Sequence, residues 1–253
     1  MFKDQIGNRM KNYYENISKT QLMRRCPVII RLDGKAAHTF TRGFDKPFDG
    51  IFRGAMMNTM KYLCENIQGT VLGYCQSDEI TLVLIDYTNL DTEAWFNYEV
   101  QKMCSVSASM ATLEFNRAFS YITEAMTSTQ EGENEVHRLA AREGLMFDSR
   151  CFNIPKEEVC NMLYWRQLDA MRNSVQMVAR NLFSHKELQG KSCEEIKKMI
   201  VDGGYLPWEY YSLDERRGCC CVKGEKGWEI DYNIPIFADE REYVNSRILW
   251  ENK

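Results

Sequence analysis

Two acidic turns carry the residue types that chemistry needs. Asp33-Gly34 closes the apolar run Pro27-Val28-Ile29-Ile30-Arg31-Leu32, and Gln76-Ser77-Asp78-Glu79 places a second acid 45 residues after the first. Carboxylates gathered at one point repel unless a cation lies between them, and hard oxygen ligands of this kind suit Mg²⁺. Gly34 adds a backbone carbonyl with no side chain to obstruct an ion or its phosphates. The loop that follows holds Lys35, Ala36, Ala37, His38, Thr41 and Lys46-Pro47. Small residues after Gly34 leave backbone N–H groups open to phosphate oxygens, and Lys46 offers a charge to a triphosphate. Each motif alone has a plainer reading: Asp-Gly is a common turn, an acid pair at a hairpin is solvated, and Lys46 and His38 serve as loop or packing residues.

The elements that carry these residues decide whether they meet. Residues 27–32 read as a buried strand. Asp49 caps a helix with Phe52, Met56, Met60, Leu63 and Ile67 at steps of three and four, ended by Gly69. Thr70 to Tyr74 is a second strand, Gln76–Glu79 a tight turn, and Ile80 to Ile85 a third strand. Thr92 opens a helix with Phe96, Val100, Met103, Ser107, Met110 and Leu113 along one side, and a fourth strand is expected over 148–154. The residues between, about 114–146, hold a solvated loop over 130–135 and a short helix to Arg142. A long helix is predicted from Lys156 to Phe183 with Trp165, Leu168, Met171, Val175, Val178 and Leu182 inward, then a short one over 193–201. From Tyr210 the pattern is one of irregular strands and turns rich in charge.

This order is β-α-β-β-α-β, a ferredoxin-like α+β palm over residues 1–155, with a helical and irregular part over 156–253 packed on it. In that topology the first and third strands are antiparallel neighbours. The end of the first, Asp33, therefore lies beside the start of the third, Asp78-Glu79. Two carboxylates, two metal ions and a phosphate loop on such a sheet suggest nucleotidyl transfer. RNA-recognition modules share the strand order, but they stack bases on aromatics of the third strand, and Ile80-Thr81-Leu82-Val83-Leu84-Ile85 has none. A nucleotide cyclase uses a similar palm and stays open on topology alone.

Composition narrows the class. The chain has 253 residues, 44% apolar and 27% charged, with net charge −4, which fits a folded globular protein. No apolar stretch approaches the ~20 residues of a membrane span, and Asp4 stands where a signal peptide would turn apolar, so a cytoplasmic protein is expected. Ten dispersed cysteines read as reduced thiols. Cys219-Cys220-Cys221 alternate in direction along a strand, which suits packing better than zinc.

Arg31-Leu32-Asp33-Gly34-Lys35 with His38 and Phe40, then Phe44-Asp45-Lys46-Pro47-Phe48-Asp49 and Gly73-Tyr74-Cys75-Gln76-Ser77-Asp78-Glu79, resemble the tRNA-histidine guanylyltransferase family. Gly7-Asn8-Arg9-Met10-Lys11 and Tyr164-Trp165-Arg166-Gln167 extend the likeness. The resemblance implies a polymerase-like palm that adds nucleotides to the 5′ end of tRNA in the 3′→5′ direction. It implies that Asp33, the Gly34 carbonyl and Asp78 bind two Mg²⁺ with Glu79 close by, and that Lys46 serves catalysis. It further implies that Gly34, Lys35, Ala36, Ala37, His38, Lys46 and Ser77 hold a nucleoside triphosphate such as ATP or GTP, and that the protein is a homo-oligomer, a tetramer. Members dedicated to tRNA-histidine carry a His-Ile-Asn-Asn-Leu-Tyr-Asn stretch where this chain has Met171-Arg172-Asn173-Ser174-Val175-Gln176, so only Asn173 is retained. That departure points to the branch that repairs 5′-truncated tRNA on a template.

The long helix has a polar face as well. Arg166, Asp169, Asn173, Gln176 and Arg180 recur at steps of three or four, and His185-Lys186, Lys191 and Lys197-Lys198 follow. Arg166, Asn173, Arg180 and Lys186 are the residues expected to meet RNA, whose phosphates attract local basic stretches even on an acidic chain.

Overall fold

A computed structural model describes residues 4–127 and 135–249. Most of the solvated loop expected over 130–135 lies outside the described residues. Six strands, β1 (Val28–Gly34), β2 (Thr70–Gln76), β3 (Glu79–Leu84), β4 (Phe147–Asn153), β5 (Cys219–Gly224) and β6 (Gly227–Asp231), form one antiparallel sheet in the order β4-β1-β3-β2-β5-β6. Ten helices accompany them among the described residues: α1 (Gln5–Tyr13), α2 (Ala37–Phe40), α3 (Gly50–Asn66), α4 (Val100–Thr127), α5 (Glu135–Glu143), α6 (Lys156–Leu182), α7 (His185–Leu188), α8 (Cys193–Asp202), α9 (Leu213–Arg217) and α10 (Glu242–Ile248).

The first four strands with α3 and α4 give the expected ferredoxin-like α+β palm. The sheet is covered on both faces, which is why β1 and β3 read as near-continuous apolar runs. Val28, Ile30 and Leu32 pack with α3 and α4, while Ile29 and Val83 pack with α6 and α10. A sheet with both faces covered has no face left on which to stack RNA bases, so the RNA-recognition-module arrangement does not apply. Among the described residues no helix is long and apolar enough to cross a membrane.

Several expectations need correction. The second long helix begins at Val100 instead of Thr92. Residues Trp95–Tyr98 form a 3₁₀ turn in which Phe96, Asn97 and Tyr98 all have positive φ. The segment is held there by Leu22 N–H donating to Tyr98 O and Val100 N–H to Thr20 O, so pairing with the chain before β1 overrides the helical pattern. The helix also runs on to Thr127, past Leu113, whose side chain is exposed. The tail holds the strands expected there, β5 and β6, which extend the sheet beyond β2, and adds the short helices α9 and α10, which were not expected. Cys219 and Cys221 enter the core on one face and Cys220 the core on the other, as their alternation requires.

On α6 Met171, Val175, Val178 and Leu182 pack inward as predicted, but the earlier turns differ. Trp165 and Leu168 are 53% and 43% exposed, whereas Arg166 and Gln167 are buried. The polar pair is tolerated inside because each is fully engaged. Gln167 donates to Pro235 O at 2.8 Å and accepts from Phe237 N–H at 2.9 Å, and Arg166 pairs with Glu79.

The junction of α9 and β5 fixes the tail against the palm. Gly218 has φ 81°, and a Cβ there would sit 2.5 Å from the Cys75 carbonyl oxygen and 2.9 Å from the Tyr74 ring. Both the left-handed backbone and the close approach of β2 demand glycine. Gly218→Ala is therefore expected to destabilise the protein by about 2 kcal/mol, read as a lower urea midpoint with unchanged slope.

Candidate active site

The antiparallel register places Asp33 opposite Glu79 on β3 and opposite Asp148 on β4. Asp78 joins them from the two-residue hairpin between β2 and β3, where Ser77 takes a left-handed φ of 49°. Gly34 N–H donates to Asp78 O at 3.0 Å and Lys35 N–H to Met146 O at 2.8 Å, so the end of β1 is pinned between both neighbours. Burial pushes the Asp33 carboxyl above its usual range, and the charges of Asp78, Glu79 and Asp148 push it further. Asp148 was not foreseen as part of this cluster; its signal was the second antiparallel neighbour of β1.

Glu79 is committed elsewhere. It accepts from Arg166 Nε at 2.7 Å and faces Arg31 Nε at 4.0 Å, while Arg166 also bonds Asp169 at 2.9 Å. Arg166 thus lies in a buried ion pair instead of on a surface open to RNA.

Beside this edge is a cavity of about 450 Å³. Ala37, His38, Lys46, Ser77, Asp78, Asn173 and Arg180 all line it, so residues far apart in the sequence converge on one volume. Lys186 lies outside it, exposed on α7. Ala36 adopts a left-handed φ of 54°, turning the chain into α2, and the N–H groups of Ala36, Ala37 and His38 donate to no acceptor among the described residues. Lys35 is exposed and does not line the cavity.

The wall that carries Lys46 is braced from below. Asp49 caps α3 by accepting from Phe52 N–H at 2.7 Å, accepts from Asp45 N–H at 3.1 Å and lies 2.7 Å from His137 Nε2. His137 is buried and stacks on Phe44 at 4.3 Å. The opposite wall comes from α9, whose Asp214 and Glu215 both pair with Arg53 of α3. His137, Arg53, Asp214 and Glu215 gave no sequence signal, since an isolated histidine and a mixed charge run look like ordinary surface.

The donor set fits magnesium. Asp33 and Asp78 are hard oxygen donors in a cluster short of positive charge, and at Gly34 a Cβ would meet Leu145 at 3.2 Å and Ala37 and Asp78 at 3.4 Å. Among the described residues no three His, Cys, Asp or Glu side chains are grouped to hold a metal by themselves. The carbonyl of Gly34 and phosphate oxygens would complete the ligand set.

The family model described as tRNAHis guanylyltransferase matches residues 7–155. The chain belongs to the tRNAHis guanylyltransferase family. Its members are nucleotidyltransferases. The chain is 30% identical over 239 residues to an uncharacterized protein of Acanthamoeba polyphaga mimivirus, covering 88% of this chain and 78% of that one. It is 36% identical, with a TM-score of 0.84, to a bacterial tRNA(His) guanylyltransferase-like protein in complex with ATP, covering 97% of this chain and all of that one. A bacterial guanylyltransferase-like protein in complex with GTP is 35% identical with a TM-score of 0.74, covering 96% and 99%.

The raised Asp33 carboxyl has a consequence for stability. Below the ordinary carboxylate range Asp33 is protonated folded or unfolded and costs nothing. As pH rises through that range and past the elevated folded value, ionisation is harder in the folded state, so stability is lost. In metal-free buffer Asp33→Asn should therefore be more stable than the parent at pH 7, and this gain should vanish as pH is lowered through 4, followed by thermal unfolding.

Proposed function

We propose that this chain is a Mg²⁺-dependent 3′→5′ nucleotidyltransferase that rebuilds the 5′ end of truncated tRNA on the facing strand as template. The observation that carries this reading is a cavity lined by Asp78, His38, Lys46, Ser77 and Arg180, with Asp33 on the adjoining sheet edge close enough to feel the charge of Asp78. Two Mg²⁺ held by Asp33, the Gly34 carbonyl and Asp78 would lower the pKa of an attacking hydroxyl and neutralise departing pyrophosphate.

The chain's own residues do the positioning. Lys46 and Arg180, which both line the cavity, neutralise triphosphate charge, and the N–H groups of Ala36, Ala37 and His38 donate to its oxygens. The tRNA 5′-monophosphate attacks the α-phosphate of ATP or GTP and expels pyrophosphate. The 3′-hydroxyl of an incoming nucleotide then displaces the nucleoside monophosphate, and loss of pyrophosphate from the new 5′-triphosphate readies the next cycle. Glu79 acts at one remove, its charge held by Arg166 while it presses on Asp33.

The templated variant is favoured by the wall at 171–177. Asn173, Gln176 and Met177 line the cavity, and Ser174 is spent on internal bonds to Trp208 and Arg216 O. The guanosine-dedicated stretch is absent at this wall, so selection falls to base pairing. A 5′-truncated tRNA should accept the nucleotide complementary to the opposite base, and changing that base should change the product on a sequencing gel; guanosine added whatever base it faces would refute the reading.

Single substitutions separate the roles. Asp78→Ala should lower nucleotide addition by about a thousandfold or more, since it removes a group that neutralises charge in the transition state. Lys46→Ala should raise the apparent nucleotide requirement about tenfold or more while tRNA affinity, measured by filter binding, stays near the parent value.

A further inference from the structure

A second cavity, of about 480 Å³, opens on the other side of α6. Leu168, Met171, Arg172 and Val175 face it, whereas Asn173, Gln176, Met177 and Arg180 face the first, as 100° per residue requires. The two cavities share no lining residue.

Four cations line this second volume: Arg172, Lys197, Arg216 and Arg217, against the single acid Glu194. Arg172 already holds Asp169, and Lys197 lies 3.4 Å from Glu194 and 3.7 Å from Glu209. Arg216 and Arg217 differ. Neither has an ion pair among the described residues, and the buried Nε of each has no acceptor. They are adjacent on α9 and held there by backbone bonds, Ser174 Oγ donating to Arg216 O at 3.0 Å and Tyr74 OH to Arg217 O at 2.7 Å. Burial, and next the charge of Arg216, hold the Arg217 guanidinium below its ordinary value. Arg216 lies over the Trp208 ring at 5.1 Å and Arg217 feels the more distant charge of Glu240, but neither guanidinium has an acid at ion-pair distance among the described residues, which is costly for two neighbouring cations. The arrangement suits an anion that comes from outside.

We propose that this cavity is a second phosphate-binding site, distinct from the candidate active site. It would take a phosphate group on Arg172, Arg216 and Arg217, with any apolar remainder of the ligand against Leu168, Met171 and Ile236. Its volume lies in the range of small-ligand pockets. Guanidinium forks match phosphate oxygens in geometry as well as charge. The inference stands without the nucleotidyl-transfer reading, because the groups proposed there to hold metal and triphosphate, Asp33, Gly34, Ala36, Ala37, His38, Lys46, Asp78 and Arg180, do not line this cavity.

The test is isothermal titration calorimetry of the full chain with inorganic pyrophosphate, AMP and a 5′-phosphorylated RNA oligonucleotide in separate arms. One binding event should survive Lys46→Ala, which addresses the first cavity, and weaken about tenfold in Arg217→Gln and in Arg172→Gln. The Arg172 side chain is 65% exposed, so Arg172→Gln keeps the test usable if Arg217→Gln does not fold. An event with pyrophosphate or AMP identifies a small-molecule phosphate; one with the oligonucleotide alone identifies an RNA phosphate. If all three arms are silent in the parent, or every event is unchanged in both arginine variants, the site does not exist.

Discussion

Like charge brought together by strand pairing is the constraint on which the rest of this molecule depends. Antiparallel neighbours on both sides of β1 set Glu79 and Asp148 directly opposite Asp33, and the hairpin brings Asp78 to the same place. Acids directly opposite one another weaken a sheet. The fold meets this partly with its own cations: Arg166 is driven into the interior to hold Glu79, and Arg150 lies 3.0 Å from Asp148. Asp33 and Asp78 have no ion pair among the described residues, and they are the pair a divalent cation would satisfy. The long helix α6 is consequently bound to the sheet by charge near its middle, and its second half is free to wall the cavity.

Much of this was legible in the residues. The strand–helix–strand order of the first 85 residues follows from apolar spacing and from Asp49 and Gly69 as helix boundaries, and the meeting of Asp33 with Asp78 follows from topology alone. The face of α6 was legible from Met171 onward but not around Trp165. Periodicity alone places Trp165 inward and Arg166 outward, but a buried arginine reads as apolar only once Glu79 and Asp169 are known to await it. The same limit hid His137, which owes its place to Asp49, 88 residues earlier. The 3₁₀ turn at Trp95–Tyr98 was hidden because its cause is pairing with residues 20–22, not its own sequence.

The cavity shows how short elements can matter more than long ones. Helix α9 has five residues, yet Asp214 and Glu215 hold Arg53 across one cavity while Arg216 and Arg217 border the other. Its position is set by a capping box of Ser212 with Glu215 and by the glycine at 218. Any displacement of this turn would alter both walls at once.

The pairing of β5 with β2 also bears on where the chain can be divided. The stretch matched by the family model ends at residue 155, which invites a shorter recombinant piece. Such a piece would leave Gly73, Tyr74 and Cys75 without their partners Cys221, Cys220 and Cys219. β2 would become a bare sheet edge, apolar and unguarded by charge or proline, and edges of that kind recruit strands from other molecules. Residues 219–221 are, in that sense, the cover of an edge that the first 155 residues leave open.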